Sequence, residues 1–227
     1  MNSTCRGDTT LVVGVDHDDP MVDDYLAFQG CEVVVRQDLH RQLVRWINVL
    51  AIPRAREYRF LGHIGDDNVP RTVGWDVQVM ESLERQGEIG FCFGNDLDPG
   101  RAPGSLSIHI FMTAAVVERL GYMGPPRIQH MYVDPVWFAW GTATSIEFLP
   151  DAVIEHMHYT VSGKAPLDES YQHSTGLIPV DCGRYNDYCD DPNGLNADIA
   201  KLDGTMFTAE GLAEFNHRLN IPKCWAA

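Results

Sequence analysis

Two adjacent carboxylates stand out in the segment RFLGHIGDDNVPRTVGWD, which runs from Arg59 to Asp76. Asp66 and Asp67 follow an apolar run directly, and two neighbouring negative charges repel each other unless something compensates them. Hydration in an exposed loop would be sufficient to compensate this repulsion. A divalent cation that also carries an anionic ligand would compensate the pair more strongly, because carboxylate oxygens suit Mg²⁺ and related ions. The pair is therefore a candidate site for a metal-bound anion.

Further acids stand where other predicted strands end. Asp16, Asp18 and Asp19 follow the apolar run TLVVGVD, and Asp96 follows IGFCFGND. In open α/β sheets, ligands bind at the edge formed by the carboxyl ends of the strands. Ordinary loops are also polar, but three acidic strand ends in one chain favour a binding site over chance.

A histidine pair provides a second kind of metal ligand. His156 and His158 lie two residues apart in VIEHMH, so a strand would place both side chains on one face. Imidazole suits manganese-like and zinc-like cations, and carboxylates suit magnesium or manganese. A single histidine is more often structural, so the prediction rests on the combination with the aspartate pair.

The elements that must position these residues alternate along the chain. We expect strands in TLVVGVD, CEVVVRQ, YRFLGHIG, IGFCFGND, SLSIHIFM, SIEFLP and VIEHMH, and helices in LHRQLVRWINVLA, Gly74 to Gln86, TAAVVERLGYM and DPVWFAWGTA. This alternation predicts the α/β class with a mainly parallel sheet flanked by helices. After about Gly176 the pattern weakens. We therefore expect one domain over residues 1–175 and an accessory extension over 176–227, with a final helix in TAEGLAEFNHRL.

Composition limits the partners and the compartment. The chain has 227 residues and a net charge of −15, which disfavours a broad nucleic-acid interface because acidic surfaces repel phosphate. No apolar run approaches the roughly 18 residues of a membrane span. The first residues lack the pattern of a secretory signal, and the six cysteines form no Cys-x-x-Cys pair. We expect free thiols and a cytoplasmic location, while the oligomeric state stays open.

Several motifs together resemble a known family. GVDHDDP, FLGHIGDDNVPRTVGWD, FGNDL, LGYMGPPRIQHMYVDPVWFAWG, FLPDAVIEHMH and GKAPLDESY occur in an order similar to that of GT-A fold glycosyltransferases. The closest resemblance is to the family-2-like enzymes of actinobacteria and their phages, and it covers Thr10 to Tyr171. It implies a Rossmann-like GT-A sheet and, for a phage-encoded chain, the host cytoplasm.

The resemblance also implies roles for the donor-binding residues. Asp16 matches the acid that reads the nucleotide base. Asp66 and Asp67 match the Asp-x-Asp-type motif, whose first acid contacts the ribose and whose second binds Mn²⁺ or Mg²⁺. His156 matches the histidine that completes the metal site, with His158 as a second candidate on the same face.

Two further residues carry the implied chemistry. Asp134 matches the base that deprotonates the acceptor in inverting members, and Lys164 matches a cation that a loop offers to the diphosphate. Asp134 precedes Pro135, so a helix N-cap is an alternative role, and one that does not exclude the first. The aromatic residues of this region are candidates for stacking on an acceptor sugar, although Trp137 and Trp140, three apart on a helix, also suit a core position.

The implied function is metal-dependent, inverting transfer of a sugar from a nucleoside-diphosphate sugar to a glycan, protein or small-molecule hydroxyl. Relatives begin with another strand and a nucleotide-binding loop, and here only a short segment precedes Thr10. The usual first strand is therefore expected to be lacking. The alternative is a non-catalytic sugar-nucleotide binder or phage accessory protein derived from a truncated enzyme. Response regulators and haloacid-dehalogenase-type phosphatases also place aspartates at strand ends, but they do not explain the His-x-His strand.

Overall fold

The structure is a computed structural model that describes residues 3–158, 167 and 169–222. The strands are β1 (Val12–Asp16), β2 (Glu32–Arg36), β3 (Phe60–His63), β4 (Asn68–Pro70), β5 (Phe91–Asn95), β6 (Ile110–Thr113) and β7 (Ile146–His156). The helices are α1 (Val22–Ala27), α2 (Leu43–Arg54), α3 (Trp75–Gln86), α4 (Ala114–Leu120), α5 (Val133–Ala143), α6 (Glu169–Gly176), α7 (Ile178–Asp190), α8 (Leu195–Lys201) and α9 (Ala209–Arg218). The α/β class is confirmed.

The sheet topology corrects one prediction. β1 and β2 form a small parallel sheet, and the other strands form a five-stranded sheet in the order β3-β6-β5-β7-β4. In the larger sheet only β5 and β7 are parallel, and the other three pairs are antiparallel. A mainly parallel sheet was therefore wrong. The β5–β6 pair accounts for part of the error. A long loop joins these strands and β6 runs antiparallel beside β5, and the alternation of elements along the chain does not reveal this.

The late strands also differ from the prediction. SIEFLP and VIEHMH form one strand, β7, whose register with β5 jumps from Gly94 opposite Leu149 to Asn95 opposite Val153. The extra residues between Leu149 and Val153 bulge out, which bends the strand. Gly94 is required there, because a Cβ on it would lie 2.1 Å from the carbonyl oxygen of Ala152.

Apolar residues pack on both faces of the larger sheet. Alternation along β5 and β6 sends Phe91, Phe93, Ile110 and Met112 into one core cluster, and Cys92 and Phe111 into another. The second cluster holds the predicted apolar face of α3, formed by Trp75, Val79 and Leu83. Helices α2, α4 and α5 supply the first.

The region after Gly176 is more ordered than its composition suggested. α7, α8 and the predicted final helix, α9, contribute Tyr185, Leu195, Ile199 and Phe215 to the same core cluster as α5. The weak pattern has a physical cause, because buried aspartates and tyrosines replace aliphatic residues on the packed faces of α7 and α8.

The cysteines do not all match the expectation of free thiols. Cys5, Cys31, Cys92 and Cys189 are free, whereas Cys182 is disulfide-bonded. The prediction was therefore wrong at Cys182.

Within the described part of the chain, no helix combines the length and apolar character that crossing a bilayer requires.

Candidate functional site

The carboxyl ends of three strands meet at one edge of the larger sheet. β3 and β5 are both antiparallel to β6, and β7 is parallel to β5, so β3, β5 and β7 run in the same direction. Their last residues, His63, Asn95 and His156, therefore lie at the same edge. β4 starts at this edge as well, with Asn68 opposite His156. Two of the three acidic strand ends seen in the sequence, those after β3 and β5, are thereby brought together, although the sheet is mixed.

Backbone hydrogen bonds tie the loops at this edge to one another. The amide of His156 donates to the carbonyl oxygen of Asp96 at 3.0 Å, and the amide of Met157 donates to that of Asp67 at 2.7 Å. These bonds hold the turn after β3 and the end of β5 against the end of β7. The positions of Asp67 and His156 are therefore set by backbone contacts as well as by their side chains.

Asp67 is the most strongly held side chain of the site. Its Oδ2 lies 3.1 Å from Nε2 of His156 and accepts the hydroxyl of Tyr171 at 2.8 Å, while its Oδ1 accepts the Asn68 amide at 2.8 Å. Burial raises the pKa of Asp67, but the hydrogen bonds from His156 and Tyr171 outweigh that cost and lower the pKa below its usual value. Asp67 is therefore a carboxylate at neutral pH.

The two adjacent aspartates have different environments. Asp66 is exposed, while Asp67 turns inward to its hydrogen-bond donors. The pKa of Tyr25 in α1 is raised by burial and then by the charges of Asp19 and Asp66. Solvent exposure of Asp66 and the hydrogen-bond donors around Asp67 thus accommodate the repulsion, and Asp66 lies within electrostatic reach of Tyr25 in α1.

The two predicted histidines lie close together, although β7 ends at the first of them. The ring centroids of His156 and His158 are 5.2 Å apart, and the His158 ring meets that of Tyr171 edge-on at 4.5 Å. Burial, followed by repulsion from His156, lowers the pKa of His158. His158 is therefore neutral at pH 7, the form in which imidazole binds metals.

Two side chains of the site could hold a cation. Asp67 Oδ2 and His156 Nε2 lie 3.1 Å apart and are joined by a hydrogen bond, which a cation shared by the two ligands would replace. The buried Nδ1 of His156 has no hydrogen-bond partner within the described part. His158 does not complete a three-ligand group with them among the described residues. Mg²⁺ and Mn²⁺ fit this set, because water and phosphate oxygens often complete their coordination.

Asp134 lies in the first turn of α5 and within electrostatic reach of this site. Burial raises its pKa to about 7, Arg101 and His156 lower it, and Asp67 raises it again. The N-cap alternative was wrong, because the cap position belongs to Tyr132, whose φ is 68°. Of the two roles considered for Trp137 and Trp140, the core position is the correct one. Both side chains are fully buried and are not available for stacking on a sugar.

Asp16 lies apart from these residues, at the end of β1 in the small sheet. Its Oδ1 accepts the indole N–H of Trp46 at 2.8 Å, and its Oδ2 accepts the amide of Arg41 at 3.0 Å. With Asp18 and His40 it forms the one group among the described residues that offers three metal-ligand atoms within 4.8 Å of one another. Asp18 and His40 are exposed, and His40 lies 3.0 Å from Asp18. Lys164, the predicted diphosphate cation, lies outside the described residues.

Two residues at the edge, Arg101 and His109, were not predicted from the sequence. Arg101 contacts Asp96 at 2.6 Å and Asp98 at 2.8 Å. His109 is fully buried, and its Nε2 accepts the amide of Gly94 at 3.0 Å. Burial lowers the pKa of His109 to about 3. Arg101 follows Asp96 by five residues and His109 follows Gly94 by 15, and no spacing pattern marks a loop arginine or a single buried histidine as part of a site.

Comparisons with known proteins add no relative: no family model, no curated protein and no solved structure matches the chain.

Proposed function

We propose that this protein is a metal-dependent glycosyltransferase with a GT-A-like site, moving a sugar from a nucleoside-diphosphate sugar to a hydroxyl acceptor with inversion. One observation supports it above the others. At one sheet edge, the Asp67–His156 pair lies within electrostatic reach of Asp134, a carboxyl group whose pKa is about 7. A cation-binding pair beside a base poised near neutral pH is what this transfer requires.

The proposed chemistry assigns one task to each group. A cation held by Asp67 and His156, with His158 adjacent, would supply Lewis acidity toward the diphosphate. Asp134 accepts the proton of the acceptor hydroxyl. The acceptor oxygen forms its bond to the anomeric carbon, and the bond from that carbon to the diphosphate oxygen breaks with its electron pair leaving on the diphosphate. A base with a pKa near 7 is half ionised at neutral pH and retains strong affinity for the proton.

The nucleotide would lie between the two sheets. Asp66 lies within electrostatic reach of Tyr25 in α1, the helix that follows β1, and Asp16 is the last residue of β1. The oxygens of Asp16 each accept one bond from the protein, and a carboxylate oxygen has a second lone pair for a base N–H. We assign Asp16 to the base, Asp66 to the ribose and Lys164 to the diphosphate as parts of the same proposal.

A non-catalytic sugar-nucleotide binder is the second candidate. One observation favours it: Asp67 already has both oxygens engaged by Asn68, His156 and Tyr171. Ligand binding would then have to displace one of these donors. Metal-dependent binding without release of the donor sugar would identify this alternative.

The test is calorimetric titration with UDP and GDP, each with and without Mn²⁺. We expect Asp67→Ala to abolish the metal-dependent binding, because it removes the carboxylate that faces His156. Asp151→Ala is the matched control, since Asp151 is an exposed aspartate in the middle of β7. Undiminished Mn²⁺-dependent binding by Asp67→Ala would reject the metal assignment. Binding by the wild type without turnover of any sugar nucleotide would reject the transferase.

A further inference from the structure

A buried carboxylate in α7 binds a segment of backbone far away in sequence. Asp181 is fully buried, and it accepts the amides of Gln129, His130 and Met131 at 3.2, 2.8 and 2.9 Å. Arg184 donates to the same carboxylate at 2.9 Å. Three consecutive amides directed at one carboxylate form a rigid link, because both oxygens are engaged and the donors belong to a single turn.

This turn leads directly into the helix that carries Asp134. Tyr132, the residue after the anchored amides, has a φ of 68°, and its ring lies 5.7 Å from that of Tyr185 at an angle of 31°. A tyrosine in the left-handed region is strained, so surrounding contacts must hold it. Asp181 and Tyr185 are four residues apart and share a face of α7. One face of α7 therefore sets the direction in which α5 begins.

A second set of contacts from the C-terminal region holds the other end of α5. The indole of Trp140 donates to the hydroxyl of Tyr188 at 3.3 Å, and Tyr188 donates to the buried carboxylate of Asp198. The amide of Thr205 donates to the carbonyl oxygen of Ala143 at 2.8 Å. Both ends of α5 are thus held from beyond residue 176, and Asp181 is at the end where Asp134 lies.

We propose that Asp181 is a positioning residue for Asp134, so that the region after residue 176 is part of the catalytic unit and not an accessory. This inference rests on the proposed function, in which Asp134 is the base. In Asp181→Asn, only one acceptor oxygen would remain for the backbone amides, and the side-chain NH₂ group would face N–H donors. The turn over 129–131 would then loosen, and Asp134 would lose its alignment with the acceptor hydroxyl.

The experiment compares Asp181→Asn with Asp190→Asn, which alters an exposed carboxylate at the end of the same helix. Three quantities are measured in each variant: amide hydrogen exchange over residues 129–134, kcat, and KM for the donor sugar nucleotide. We expect Asp181→Asn to speed exchange there and to lower kcat by on the order of a hundredfold, with the donor KM nearly unchanged. Asp190→Asn should leave the exchange rates, kcat and KM close to the wild type.

The outcomes separate the two hypotheses. Unchanged exchange over 129–134 in Asp181→Asn overturns the positioning role whether or not the protein transfers sugar. Faster exchange with an unchanged kcat overturns it as well, since the turn would then be structural only. An inactive wild type rejects the proposed function instead. If Asp181→Asn does not fold, Arg184→Ala removes the half-exposed donor to Asp181 and should give the same pattern with a loss of about tenfold. No loss in that variant would contradict the proposal.

Discussion

At the scale of single residues, environment gives the acids of this chain different chemistry. Asp67 is kept ionised by Tyr171 and His156, whereas Asp134 retains its proton up to about pH 7 because burial outweighs the pull of Arg101. Two carboxyl groups with pKa values pushed in opposite directions in one site are typical of catalytic centres. That contrast directs the first prediction to Asp134.

Asp134→Asn should keep donor affinity and lower turnover by about 10²- to 10⁴-fold, because the amide retains the shape but cannot accept the proton. In the wild type, kcat/KM should fall as the pH drops below about 7, where Asp134 becomes protonated. The measurement is a pH–rate profile with saturating metal. Asp190→Asn, at an exposed position, is the control. Wild-type turnover in Asp134→Asn would remove Asp134 from the mechanism.

The same substitution has a stability signature that does not depend on activity. The pKa of Asp134 is higher in the folded protein than the ordinary aspartate value, so the folded state holds a proton that the unfolded state releases between about pH 4 and 7. Stability from this group therefore declines as the pH rises through that window. Asparagine does not titrate, so the Tm of Asp134→Asn should gain on that of the wild type between pH 4 and pH 8. A constant difference in Tm would contradict the raised pKa.

At the scale of elements, the candidate site depends on how β5 ends. Gly94 allows β7 to bulge against it, and its amide is satisfied by Nε2 of the buried His109. An amide N–H needs an unprotonated acceptor, so His109 must carry its proton on Nδ1. The bulge then turns the last residues of β7 so that His156 reaches Asp96 and Asp67. The buried His109 therefore helps to hold the end of β5, and with it the edge where Asp67 and His156 lie.

His109 predicts acid sensitivity. Its pKa is lowered to about 3 by burial, while an unfolded histidine titrates near 6.5, so the unfolded state binds the extra proton as the pH falls. Stability from this group is complete above about pH 6.5 and falls by about 1.4 kcal/mol for each pH unit below that. His109→Gln retains an acceptor and does not titrate, so it should lose less unfolding free energy than the wild type between pH 7.5 and 5.

Urea unfolding at the two pH values measures this difference, with His217→Gln as a control at an exposed histidine. Equal losses in His109→Gln and in the wild type would show that other groups dominate the acid response.

At the scale of the whole molecule, charge limits the acceptor. With a net charge of −15, the protein is not attracted to phosphate groups, and this attraction supplies most of the non-specific affinity of proteins for nucleic acids. We therefore predict a glycan, protein or small-molecule hydroxyl as the acceptor. Incubation with radiolabelled sugar nucleotides and separate pools of glycan, protein and DNA tests this, with the Asp134→Asn variant as the blank. Label appearing mainly in DNA would contradict the charge argument.

Local pattern alone determined much of the architecture. The apolar spacing of Trp75, Val79 and Leu83 predicted α3, the alternating runs predicted most strands, and the acids at strand ends marked the edge that holds Asp67. The histidine pair was also visible, because its two members are neighbours in sequence. These features were readable because periodicity is a property of a short segment and needs no partner.

Tertiary structure alone decided the rest. Antiparallel pairing of β6 with β3 and β5, and the merging of two predicted strands into the bulged β7, depend on partners many residues away. The same holds for Tyr171 on Asp67 and for Asp181 beneath the turn before α5. Burial also decided the chemistry, since Asp67 and Asp134 have the same side chain and acquire opposite pKa shifts only from the donors and apolar groups that the fold packs around them.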